Sequence, residues 1–143
     1  MECLGCKLAN QLIETNVVFE DDLISCILDI DPLNEGHTLI LPKRHFKDLE
    51  ELDCTTSSAI MNASIIISRA LKEIYRPDGI SIIQNGGLFN DLDHYHMHVF
   101  PRYKSDGFGW IEPINKSQTQ LDEGKKRILN ELKTICKENT LKF

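Results

Sequence analysis

Three histidines alternate with other residues in His94-Tyr95-His96-Met97-His98. In a strand every second side chain points the same way, so this spacing puts three imidazoles on one face, with Tyr95, Met97 and Val99 packing on the other. Imidazole changes charge near neutral pH, and it serves as nucleophile, proton donor or metal ligand. A neutral imidazole attacks phosphorus through one nitrogen when the other is held as a donor. A second imidazole two residues on can donate to a phosphate oxygen. Spacing alone leaves three readings open: phosphoryl chemistry, a metal site on a strand, or a cluster of hydrogen-bonded structural histidines.

Cys3-Leu4-Gly5-Cys6 is a second chemical pattern. Two thiols at this spacing form either a redox pair or half of a tetrahedral zinc site. Redox pairs usually follow a strand in a βαβ unit, and no strand precedes Cys3, which favours the zinc half-site. Cys26, Cys54 and Cys136 read as buried small apolar groups rather than reactive thiols. Five cysteines, an odd number irregularly spaced, fit a reducing compartment better than a disulfide framework.

These residues need a scaffold, and the chain is long enough to supply one. Its 143 residues, 41% hydrophobic and 27% charged, predict a single globular domain with a buried core. The net charge of −6 argues against a general nucleic-acid surface, though a local pocket can still accept a small nucleotide. No apolar run approaches the roughly 20 residues that span a bilayer, and no leader pattern opens the sequence, so a cytoplasmic protein is expected.

Leu4, Leu8 and Leu12 recur every four residues and predict a helix over 4–14. Val17-Val18-Phe19 and Leu23 to Ile30 read as a hairpin about Asp21-Asp22. Gly36 to Leu41 reads as a strand stopped by Pro42. Residues 55–75 are the clearest helix, capped by Asp53 or Thr55, with Ile60, Ile67, Leu71 and Ile74 as its apolar stripe. Gly79 to Gln84 and His94 to Phe100 read as strands, the second ended by Pro101. Residues 119–138 read as an amphipathic helix through Leu121, Ile128, Leu129, Leu132 and Ile135. Strands adjoin one another instead of alternating with helices, which predicts an α+β domain with a mainly antiparallel sheet of about five strands.

The segment from His94 to Tyr103 resembles the signature strand of the histidine triad family, His-x-His-x-His followed by apolar residues. Leu28-Asp29-Ile30-Asp31-Pro32 resembles the family's Asp-Ile-x-Pro segment. Gly36-His37-Thr38-Leu39-Ile40-Leu41-Pro42-Lys43-Arg44-His45 resembles its Gly-His…Pro-Lys-x-His segment, and Asn85-Gly86 its pre-triad loop. The resemblance spans about residues 3 to 110, within one domain covering 1–143. It implies a hydrolase or nucleotidyl transferase acting at the α-phosphorus of a purine nucleotide, adenosine-type in base, through a covalent adduct on His96. A nucleotide-binding regulatory module with little turnover is the alternative. His98 would contact a phosphate oxygen, Asp29 the ribose hydroxyls, Ile30 and Phe19 the base, and Asn85 the phosphate or leaving group. Some bacterial members carry a structural zinc on residues matching Cys3, Cys6, His45 and His94. The family usually forms two-fold dimers that join their sheets, so a homodimer is implied, with no nucleic-acid or membrane partner. His37 reads either as a group supporting the site from behind or as strand-end polarity, with the second favoured.

One stretch departs from the pattern. Where many members carry Gly-Gln-Ser, this chain has Phe89-Asn90-Asp91-Leu92-Asp93, which lacks the hydroxyl and adds two carboxylates. A carboxylate facing a phosphate is repelled. Either Asp91 points away, leaving Asn90 and backbone N–H groups to bind phosphate, or the leaving group is cationic.

Overall fold

Asp21 closes the first hairpin, its carboxylate accepting from the backbone N–H groups of Leu23 (2.7 Å) and Ile24 (2.9 Å). The computed structural model describes residues 3–114 and 120–139. Within them the chain runs α1 (Leu4–Ala9), β1 (Val17–Glu20), β2 (Ile24–Leu28), β3 (Thr38–Pro42), α2 (Cys54–Tyr75), β4 (Gly79–Gln84), β5 (Met97–Arg102) and α3 (Leu121–Asn139). The sheet order is β1-β2-β3-β5-β4 and every pairing is antiparallel, as the α+β expectation required. One compact unit extends to Phe108 and a second begins at Gly109. The second unit contains α3; position 119, where the sequence predicts that helix to begin, lies outside the described residues. Among the described residues no helix is long and apolar enough to cross a membrane.

The strand period divides the sheet into two faces. Ile24, Cys26, Ile40, Met97 and Val99 face α2 and pack with Ile60, Ala63, Ile67 and Leu71. Ile27, Leu39 and Leu41 face the other way, packing with Ala9 of α1 and with Leu8, Val17 and Leu92. Asp53 caps α2, its carboxylate accepting from Thr56 N–H at 2.8 Å. The helix ends at Arg76, which takes a left-handed conformation (φ 46°). Gly36 has a φ of +88°, and any Cβ there would meet the Tyr75 ring and Leu71. Glycine therefore lets the chain enter β3 beneath the end of α2.

The structure departs from the sequence expectations at several points. Helix α1 stops at Ala9 because Asn10 caps it and Gln11 turns left-handed (φ 55°). Its buried positions are Gly5 and Ala9, whereas Leu4 and Leu12 are exposed. Ile74 is also exposed, at the overhanging end of α2. Cys54 is exposed and Cys136 partly so; of the three cysteines read as buried, only Cys26 is fully so. Strand β5 begins at Met97, not His94, and runs through Pro101 to Arg102. Strand β3 accompanies β5 only as far as Val99, opposite Thr38, so a residue without an N–H is tolerated at 101.

Replacing Asp53 with alanine removes the α2 cap and should cost about 1 kcal/mol of stability. Urea denaturation of wild type and Asp53→Ala checks this; equal midpoints would show that the cap contributes nothing.

Candidate active site and metal centre

His94 and His96 precede β5 instead of lying within it, yet the alternation of side chains persists. Tyr95 is in the α2-side core, and its N–H donates to Phe46 O at 2.7 Å. The histidine side is far from an open floor, since His94 and His96 are 0% and 2% exposed. The three imidazoles also separate into two groups. The rings of His96 and His98 pack edge to face at 4.9 Å, while His94 packs on His45 at 5.3 Å.

In the first group, His96 Nδ1 lies 2.9 Å from the His94 carbonyl. A carbonyl only accepts, so Nδ1 bears the proton and donates. In the neutral ring Nε2 then holds the free lone pair. Nε2 lies 3.2 Å from Asp91 Oδ1, and the two form an ion pair when the ring is protonated.

His98 has its tautomer set from further away. Leu33 N–H donates to His37 Nδ1 (3.1 Å), which leaves the His37 proton on Nε2. That proton is donated to His98 Nδ1 at 2.9 Å, so His98 carries its own proton on Nε2. Burial pushes the His37 pKa down, and burial, with His96 and His37 nearby, pushes that of His98 down to about 4. Both rings are therefore neutral at physiological pH, and His98 can offer an N–H to an anionic oxygen. Asp29 stands beside them, with Oδ2 3.6 Å from His37 Nε2 and 4.0 Å from His98 Nδ1; its Oδ1 accepts from Asp31 N–H. His37 is thus a buried positioning group rather than strand-end polarity. The signal for it was its place just before β3, where Leu39 lies opposite His98.

Cys3, Cys6, His45 and His94 form the second group, with their four ligand atoms within 4.8 Å of one another. Each sulfur approaches His94 Nδ1 to 3.5 Å, Cys6 Sγ also lies 3.5 Å from His45 Nδ1, and the two Nδ1 atoms are 3.3 Å apart. A tetrahedral zinc with ordinary bond lengths requires about 3.5 Å between S and N and about 3.3 Å between N and N. His94 donates Nε2–H to Pro42 O at 2.9 Å, which turns the bare Nδ1 toward the sulfurs. The donor set therefore fits a zinc ion in distance, type and tautomer. Gly5 makes the approach possible, because a Cβ there would overlap the His94 ring. Asn10 anchors the turn through its amide, which donates to Lys43 O (2.8 Å) and Cys6 O (2.9 Å).

The other residues expected to contact a nucleotide are placed variously. Phe19 packs against the α2-side cluster, away from the histidine face. Ile30 is 96% exposed beside Asp29. Asn85 is exposed, with its carbonyl accepting from Gln84. Asn90 spends its side chain holding its own loop: Nδ2 donates to Lys47 O (2.8 Å) and Oδ1 accepts from Leu92 N–H (3.2 Å).

The HIT domain model matches residues 10–105. An uncharacterized HIT-like protein of Borreliella burgdorferi is 39% identical over 76% of this chain and 81% of its own length. An adenylylsulfatase of Arabidopsis thaliana is 31% identical over 85% of this chain and 63% of its own. For an adenosine 5′-monophosphoramidase of Schizosaccharomyces pombe the figures are 29%, 77% and 84%. Among solved structures, a HIT family member from Bacillus subtilis superposes with a TM-score of 0.80 at 29% identity, covering 91% of this chain and 96% of that one. A zinc-bound histidine triad protein from Mycobacterium smegmatis gives 0.69 at 28% identity, covering 94% and 98%.

Two outcomes follow from this geometry. Because the His98 pKa is lower in the folded state than the ordinary value near 6.5, the unfolded chain takes up that proton first. Stability is therefore lost as pH falls from about 6.5 toward about 4. His98→Gln should flatten this part of the stability–pH curve, and an unchanged slope would contradict the neutral assignment. Gly5→Ala should displace the α1 turn and lower the metal content of protein purified without chelator; metal analysis equal to wild type would refute the packing account.

Proposed function

Because the chain belongs to the HIT domain family, we propose that it cleaves a nucleotide derivative at its α-phosphorus, with His96 as the nucleophile. The observation that carries this reading is the Nδ1–H bond from His96 to the His94 carbonyl. It spares Nε2 for attack. The Nε2 lone pair forms the N–P bond while the leaving group departs with the electrons of its own bond. Water then attacks phosphorus, the N–P bond returns its pair to Nε2, and a proton passes to solvent as the nucleoside monophosphate is released. Two smaller barriers replace one large one. His98 supports both steps by donating Nε2–H to a non-bridging oxygen, on which negative charge builds in the transition state. Asp29, at the rim beside Ile30, would accept from ribose hydroxyls.

Sulfate-anhydride and phosphoramidate bonds at an adenosine 5′-phosphate are the substrate classes that the named activities of the relatives support. A nucleotide-binding module with little turnover is the second reading, and the Asp91 contact that obstructs Nε2 favours it.

Zinc on Cys3, Cys6, His45 and His94 would be structural, since four protein ligands leave no open position for substrate. It would tie the N-terminal turn to the residue two before the nucleophile. We also propose a homodimer. Strand β4 is a sheet edge, and Met61, Ile65 and Ile66 of α2 and Ile82 of β4 are about half exposed.

Incubation with an adenosine phosphoramidate, acid-free quenching and mass spectrometry should find a nucleotidyl group on His96. His96→Ala should lose it and reduce kcat on the order of 10³-fold or more. An adduct on another residue, or full activity in the variant, would overturn the assignment. No turnover by wild type despite nucleotide binding would select the binding module.

A further inference from the structure

Asp91 occupies a position the proposed reaction does not require. Its Oδ1 lies 3.2 Å from His96 Nε2, where a reacting phosphorus would have to stand for attack. The loop around it is fastened independently of the histidines. Asn90 Nδ2 donates to Lys47 O, the Lys47 ammonium pairs with Asp93 Oδ1 at 2.6 Å, and Gly87 N–H donates to Asp48 Oδ1 at 3.1 Å. Leu92 packs into the cluster of Ile27, Leu39 and Leu41. With its neighbours held, a substrate would displace Asp91 by rotation of its side chain, which is 82% exposed. Its carboxylate then stays at the mouth of the site.

We propose that Asp91 is a charge-selecting residue, disfavouring substrates whose leaving group departs as an anion and favouring those whose leaving group departs as an amine. This rests on His96 being the nucleophile. The two bond types develop opposite charge. Cleaving P–O–S sends the bonding pair onto the departing sulfate. Cleaving P–N requires the nitrogen to take a proton from solvent first, so that positive charge develops before a neutral amine leaves. A carboxylate about 5 Å from that atom opposes the first and assists the second, by about tenfold for a solvent-exposed charge at low ionic strength. No other carboxylate approaches His96 Nε2 within 4 Å among the described residues.

The test compares wild type, Asp91→Asn and Asp91→Glu on adenylyl sulfate and an adenosine 5′-phosphoramidate. Asp91→Asn should shift the ratio of kcat/KM about tenfold toward adenylyl sulfate, and Asp91→Glu should stay near wild type. Added salt should shrink the wild-type preference and leave that of Asp91→Asn unchanged. A ratio within twofold of wild type in Asp91→Asn overturns the proposal. Calorimetry with AMP and adenosine gives a readout free of turnover. Asp91→Asn should tighten AMP several-fold and leave adenosine unaltered, and unchanged discrimination again overturns the proposal. If neither substrate is turned over but the calorimetric shift appears, the hydrolase reading fails and the selection by charge stands.

Discussion

The hydrogen bond from His94 Nε2 to the Pro42 carbonyl is the constraint on which both halves of the site depend. It fixes one ring. That ring presents Nδ1 to the two cysteines and His45, while the same residue's carbonyl receives Nδ1–H from His96. The Cys3-Cys6-His45-His94 cluster and the proposed nucleophile are thus organised by a single residue, through its ring and its backbone respectively. The Tyr95 N–H to Phe46 O bond holds the segment against the strand-end that also carries His45. Burial makes these bonds obligatory, since an unpaired polar group there would cost about 1–3 kcal/mol.

Much of this was legible in the residues. The strands were legible as short apolar, β-branched runs between turns, because one sheet face meets α2 and the other meets α1, so apolar side chains occupy both. The pairing of His45 and His94 with Cys3-x-x-Cys6 followed from a family pattern, and the fold brings those four together. Other features were hidden for physical reasons. Local spacing cannot show that α1 ends after six residues, because Asn10 caps it by reaching Lys43, distant in sequence. His37 looked peripheral because its partner His98, distant in sequence, meets it only when β3 and β5 align. Phe19 faces the core because of the register of β1 on Cys26, which composition does not reveal.

The pre-triad loop shows how a departure in sequence is accommodated. Asp93 takes a left-handed conformation (φ 52°), uncommon for a residue other than glycine, and the Lys47 ammonium holds its carboxylate and pushes its pKa down. Asn90 closes an Asx-type turn onto Leu92. The polar residues that replace the family's usual ones are thus used in building the loop, with Asp91 alone turned to the histidines.

The donor chain that orients His98 begins at a backbone amide. Every later link is a side chain, and any of these can be lost by substitution. Leu33 N–H is present whatever side chain residue 33 carries, and the Leu33 side chain is itself half exposed. Genetic variation at position 33 is therefore invisible to the polarity of the relay, with one exception: proline has no N–H to give. The direction of proton donation in the site is written partly in main chain, where it is inherited with the fold and shielded from drift.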